Sequence, residues 1–136
     1  MGEPVFLALI TADRVITEKN QKKGIIGTFN RLGAPSFPAR FPPWWLYASA
    51  TNLSGEHTFS LEIVASDDEA RVFSAQGKLQ ISSSDQIIEI ALPVATCAFP
   101  HPGSYTVLFH IDESILGARV LRVEKIEPPS ARTEEA

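Results

Sequence analysis

The sequence predicts an all-β fold, an antiparallel two-sheet β-sandwich of immunoglobulin-like or related Greek-key topology with about eight strands. Apolar and polar residues alternate in several segments, most clearly at Phe59, Leu61 and Ile63, and this period of two is that of a strand with one face in the core. Small polar turn segments separate such runs about every dozen residues. No window of 11 or more residues carries apolar positions at helical spacing.

The strands follow in chain order from local patterns. Residues 5–16 are apolar nearly throughout, as in a strand that is covered on both sides or bends between sheets, and a Lys/Asn/Gln-rich turn joins them to 24–32 as a hairpin. Four prolines place 34–43 at an edge or in a crossing between sheets, because proline cannot donate to a strand ladder. The remaining strands are predicted at 45–51, 57–64, 72–81, 86–93, 104–111 and 116–123.

Alternation also assigns the side chains of these strands to the core or to solvent. Phe59 and Phe109 are expected in the core, and Tyr105 is expected near a sheet end, where its hydroxyl finds a partner. A set of four polar residues is expected to face solvent: His57, Ser60, Thr106 and His110.

One domain is predicted over residues 1–127, followed by a disordered tail at 128–136. The chain has 136 residues, which suits a single domain, and its 44% hydrophobic and 21% charged residues are close to globular averages. The last nine residues begin with Pro128-Pro129 and contain no core residue larger than alanine.

Charge and cysteine content narrow the function classes. The net charge is −4 and no stripe of basic residues is present, so we expect no nucleic-acid partner. No segment approaches the roughly 20 apolar residues of a membrane span, so we expect no membrane partner either. Cys97 is the only cysteine, which rules out an internal disulfide and favours a cytoplasmic protein with a buried thiol.

The sequence offers poor material for catalysis. Its three histidines, His57, His101 and His110, are far apart along the chain, and a triad would need one of them beside a serine and an acid in space. No G-x-S-x-G elbow occurs. We therefore expect no catalytic residues, no cofactor and no enzymatic activity.

The aromatic step at residues 44–47 is the most suggestive candidate for a binding site. In a strand, Trp45 and Tyr47 share one face, while Trp44 and Leu46 share the other. One face must enter the core, and the other could present an aromatic platform to a sugar, a proline-rich peptide or a second subunit. The alternative is that the second face packs beneath the proline-rich crossing.

Acidic turns are the candidates for a metal site. Asp67 and Asp68 share one turn and Asp112 lies in another, and sandwiches can gather acidic loops at one end to hold Ca²⁺ through oxygen ligands. No loop of the EF-hand kind is present, and surface turns are commonly acidic without binding metal. Ordinary solvated turns are therefore the competing interpretation.

Several short motifs resemble a bacterial family of small proteins catalogued only as a domain of unknown function. They are, in chain order, Asp13-Arg14-Val15-Ile16, Ile26-Gly27-Thr28-Phe29, Phe37-Pro38, Gly55-Glu56-His57 and Pro102-Gly103-Ser104-Tyr105. The resemblance extends through about Val123 and implies a compact β-sandwich with no assigned activity. Many members carry cysteine where this chain has Ala12, so no thiol-based role is carried over.

Two classes of function remain open. The function is unknown, and the sequence favours a non-catalytic interaction or structural module that pairs with itself or with another protein. The alternative is a ligand-binding domain for carbohydrate or calcium, or a hydrolytic domain. An exposed tryptophan beside a concave surface would favour the alternative.

Overall fold

A computed structural model describes residues 3–127, and these fold entirely into strands and connecting loops. Strands account for 68% of them and no helix is present in this range, which confirms the all-β prediction. The eleven strands are β1 (Val5–Thr17), β2 (Lys23–Thr28), β3 (Arg31–Ala34), β4 (Ala39–Arg40), β5 (Trp44–Thr51), β6 (Gly55–Ala65), β7 (Arg71–Ile81), β8 (Ile88–Val94), β9 (Ala98–Phe99), β10 (Gly103–Ile111) and β11 (Ser114–Lys125). The predicted tail at 128–136 lies outside the described residues.

The first sheet has four antiparallel strands in the order β2-β1-β5-β8. Strand β1 pairs with β5 along its first half and with β2 along its second half, and Ala12 pairs with Thr28 on one side and Trp45 on the other. This double use explains why its sequence is apolar over so many residues. Gly27 has a φ of +73°, and a Cβ at this position would collide with the Asp13 carboxylate, so the hairpin requires glycine here.

The second sheet has five strands in the order β3-β11-β10-β6-β7 and is mixed. Its long strands are antiparallel neighbours, but β3 runs parallel to β11, so the prediction of purely antiparallel strands is wrong at this edge. The chain leaves the first sheet after β2, and the backbone N–H of Arg122 donates to the Asn30 carbonyl at 3.0 Å as β3 begins. A third, two-stranded sheet pairs β4 with β9.

The prediction of about eight strands is too low because short strands carry no readable period. The predicted strand at 24–32 is divided between β2 and β3, which belong to different sheets. Strands β4 and β9 have only two residues each and lie in or near proline-rich segments. A run of two residues cannot display alternation, so the sequence gives no sign of them.

One hydrophobic core is formed by residues of both large sheets and of β9. Its largest fully buried side chains are Tyr105, Phe99, Phe109, Leu46, Leu61, Ile63, Leu121, Val94, Val107 and Val123. Phe109 and Tyr105 are buried as predicted, and the Tyr105 hydroxyl donates to the His101 carbonyl at 2.6 Å. Phe59 is only half-buried, because it packs over Gly77 on the edge strand β7 rather than in the centre of the core.

Within the described residues, no helix is long and apolar enough to cross a membrane.

Candidate functional site

The aromatic step has the predicted faces, but both faces are largely covered. Trp44 is buried at 4% exposure and packs edge-on against Phe29, with ring centroids 5.4 Å apart. Tyr47 is buried at 8% and donates a hydrogen bond to Glu89. Burial and this hydrogen bond raise the pKa of Tyr47 to about 12. Trp45 is the member of the set that keeps partial access to solvent.

The three acidic candidates for a metal site lie at opposite ends of strand β10. Asp67 and Asp68 follow β6, beside the start of β10, since Ala65 pairs with Tyr105. Asp112 follows the end of β10, on the order of 25–30 Å away for a strand of nine residues. The predicted trio therefore does not come together. Asp67 and Asp68 instead lie beside His101, with one potential ligand atom from each residue within 4.8 Å of the others.

His57 forms an ion pair with Asp112 rather than pointing freely to solvent. Its Nδ1 is 2.5 Å from an Asp112 carboxylate oxygen, and its Nε2 is 2.9 Å from the Ser54 carbonyl. Both partners are acceptors, so both ring nitrogens must donate and the imidazole is protonated. The backbone N–H of Thr58 donates to the other Asp112 oxygen at 2.9 Å.

This geometry shifts the pKa values of both partners. The hydrogen bond to Asp112 raises the pKa of His57 above its ordinary value. The backbone hydrogen bond from Thr58, followed by the one from His57, lowers the pKa of Asp112. The pair lines a surface cleft of about 380 Å³ together with Lys78, and its geometry is that of a clamp between two turns.

His110 faces outward, as predicted, but it is only half-exposed and lines a second cleft of about 560 Å³. Ser60 lies directly opposite it on β6, and Glu62 is two residues further along the same face. Among the described residues, Nδ1 of His110 is enclosed without a hydrogen-bond partner. The strand register thus brings a serine, a histidine and an acid to one surface, without the hydrogen bonds that would couple them for catalysis.

Cys97 is buried, as predicted, at 6% exposure. Desolvation raises the pKa of its thiol to about 11, with the nearby positive charge of Arg40 acting weakly in the opposite direction. A thiol with this pKa in the protein interior is a packing residue rather than a nucleophile.

Comparison with known families places nearly the whole of this fold. The model of a family of unknown function, DUF6941, matches residues 7–124. The chain belongs to this family. The matched range includes every motif that suggested the resemblance, and it includes both ends of strand β10, where the acidic turns lie. No curated protein matches the chain.

The DUF6941 fold leaves one long strand edge open. Strand β7 has eleven residues and pairs only with β6, while β9 approaches it without joining its ladder. The other outer strands are shorter: β2 has six residues, β3 has four, and β8 has seven, with Pro93 near its end. Strand β7 contains no proline and a single lysine, so it has few of the features that block edge pairing. We take this edge as the candidate interaction site.

Proposed function

We propose that this DUF6941 protein is a non-catalytic interaction module that pairs with a second copy of itself along strand β7. The observation that carries the proposal is the self-complementary sequence of this open edge. An unpaired edge presents a row of backbone N–H and C=O groups, and a second strand satisfies them by extending the sheet.

A two-fold axis through Gln76 gives an antiparallel register in which like faces meet. Phe73 then lies opposite Leu79 of the second copy, and Ala75 opposite Gly77, so the half-buried apolar side chains of one face are matched. On the other face, Ser74 lies opposite Lys78. Because a two-fold interface repeats each contact, every such pair occurs twice.

The charges on β7 are compatible with this register. Its only charged residues are Arg71 and Lys78, and the two-fold axis places them opposite Ile81 and Ser74 of the second copy. No like charges face each other, which removes a common barrier to pairing between identical strands.

The histidine geometry supports a non-catalytic role. Both ring nitrogens of His57 are hydrogen-bonded to acceptors, and Nδ1 of His101 lies 3.2 Å from the Pro102 carbonyl. In the part of the chain that the structure describes, no histidine is hydrogen-bonded to a hydroxyl or a thiol. The activated nucleophile of a hydrolase therefore has no counterpart here.

The proposal takes the two large sheets as an immunoglobulin-like β-sandwich in the cytoplasm. Their shared core supports the sandwich, and so does the strand order β1-β5-β8 facing β11-β10-β6-β7. Tyr105, near the start of β10, bonds back to the carbonyl of His101, which resembles the tyrosine corner of that fold. The free, buried Cys97 fits a reducing compartment.

Sedimentation velocity over about 1 µM to 1 mM tests the self-pairing, since this range brackets weak dimers. We expect a monomer–dimer equilibrium. The double variant Ser74→Lys/Gln76→Lys places three pairs of lysines opposite one another in the proposed register, because Lys78 faces position 74. We expect the dimer dissociation constant to rise about 3- to 100-fold, at roughly 0.2–1 kcal/mol for each facing pair.

The matched control is Ala118→Lys/Val120→Lys, which adds the same charge to exposed positions of β11 in the same sheet. This variant should dimerise like the unmodified protein. A protein that is monomeric across the whole range would contradict the proposal. An equal response of the two double variants would also contradict it, since the effect would then be one of net charge.

A further inference from the structure

Two turns at one end of the molecule bring together the ligand set of a metal site. Asp67 and Asp68 lie in the turn between β6 and β7, and His101 lies in the loop before β10. One potential ligand atom from each residue is within 4.8 Å of the other two. Ligands of a tetrahedral ion with bonds near 2.0–2.2 Å are roughly 3.3 Å apart, so closure needs side-chain movements of about 1–1.5 Å. Both aspartates are exposed, and their side chains are free to make such movements.

The two segments are held together by contacts outside the ligand set. The backbone N–H of Ser66 donates to the Ser104 carbonyl at 2.9 Å, and the Ser66 hydroxyl lies 3.0 Å from that of Thr106. The hydroxyl of Tyr105 donates to the carbonyl of His101 at 2.6 Å, and the two rings are stacked with centroids 5.9 Å apart. The ligand-bearing segments therefore have a fixed separation before any ion binds.

The ring of His101 has the tautomer that a metal ligand requires. Its Nδ1 lies 3.2 Å from the Pro102 carbonyl, which can only accept, so Nδ1 carries the proton. The lone pair is then on Nε2. A second hydrogen bond from the ring to a backbone carbonyl is the usual partner arrangement of metal-ligating histidines.

The donor types select the class of ion. Ca²⁺ and Mg²⁺ favour sites made entirely of oxygen ligands, whereas an imidazole nitrogen with two carboxylates suits Zn²⁺ and its neighbours. Three protein ligands leave at least one coordination position for water.

We propose that Asp67, Asp68 and His101 form a site for a divalent transition-metal ion such as Zn²⁺. The site replaces the all-oxygen calcium site predicted from sequence, because His101 takes the place of Asp112. It lies at the end of the molecule opposite the His57–Asp112 pair, and it does not depend on pairing along β7.

Calorimetric titration of the chelator-treated full chain with ZnCl₂ tests the site, with CaCl₂ as the comparison ion. We expect one Zn²⁺ per chain, bound in the micromolar range, and Ca²⁺ bound at least about tenfold more weakly. Nitrogen chemical shifts of the His101 ring should change on adding Zn²⁺, which reports ligation by this residue directly.

Asp68→Asn and His101→Gln should each weaken Zn²⁺ binding by about tenfold or more. In Asp68→Asn the amide oxygen of the new side chain can still accept the hydrogen bond that Asp68 accepts from the Ala70 N–H, so the turn is retained. Asp85→Asn and His110→Gln are matched controls at positions outside the set, and their affinities should equal that of the unmodified protein. The proposal is overturned by the absence of Zn²⁺ binding at about 1 mM, by tighter binding of Ca²⁺, or by unchanged affinity in Asp68→Asn and His101→Gln.

Discussion

His57 donates a hydrogen bond from Nδ1 to the Asp112 carboxylate at 2.5 Å, and this contact joins the start of β6 to the turn between β10 and β11. The Nε2 of the same ring donates to the carbonyl of Ser54 at 2.9 Å. The imidazolium is therefore a clamp between two turns, and its effect on stability depends on the charge of both partners.

The first prediction is a pH window for this stabilisation. The pKa of His57 is raised above 6.5, so its contribution is fully present below that pH and is lost as pH rises through the folded-state value. The pKa of Asp112 is lowered below 3.8, so its contribution is present above that pH and is lost as pH falls through the folded-state value. The clamp should therefore be strongest between pH 3.8 and 6.5.

Urea unfolding of the unmodified protein and of His57→Gln across pH 3 to 9 measures this window. The difference in unfolding free energy should be largest near pH 5 and should shrink towards both ends of the range. His110→Gln, which removes a histidine outside the ion pair, should show no such profile. A difference between the unmodified protein and His57→Gln that stays constant from pH 5 to 9 would contradict the ion pair.

The second prediction separates two phenylalanines that the sequence treats alike. Phe109 is fully buried, so Phe109→Ala should lower the unfolding free energy by about 3–5 kcal/mol. Phe59 is half-buried over Gly77, so Phe59→Ala should lower it by about 1–2 kcal/mol. Thr106→Ala, on the outer face, should change it by less than about 0.5 kcal/mol. Equal losses for the two phenylalanine variants in urea unfolding would show that the core is centred elsewhere.

The third prediction concerns the thiol of Cys97. Raising its pKa from 9.0 to about 11 reduces the thiolate fraction at pH 8 by roughly 100-fold, and burial blocks the reagent as well. Reaction with a coloured disulfide reagent should therefore be at least about 100-fold slower in buffer than in urea. Similar rates under the two conditions would place Cys97 at the surface.

Alternation predicted the central strands because each has one face in the core. Leu61, Ile63 and Phe109 are all fully buried, and their pattern is readable from a few residues of sequence. Alternation also gives His57 the same face as Phe59, yet solvent exposure was predicted for it because it is polar. The structure keeps it on the inner face at the end of the strand, where Asp112 and Ser54 satisfy its ring nitrogens.

The candidate sites depend on strand register, which local sequence does not encode. His101 is 33 residues beyond Asp68, and they meet because Tyr105 pairs with Ala65. The open edge of β7 likewise follows from the absence of a further neighbour in the sheet order, not from the residues of β7. The composition of the acidic turn could identify Asp67 and Asp68, but not the third ligand.

Amide hydrogen exchange of β7 at two protein concentrations tests the self-pairing most directly. In a free edge strand, alternate N–H groups point away from β6 and exchange rapidly, whereas a second β7 strand would protect them. At about 1 mM protein we expect protection along Ser74–Lys78 at every residue, and at about 1 µM we expect loss of protection at alternate residues only. Rapid exchange of the alternate amides at both concentrations would contradict the account.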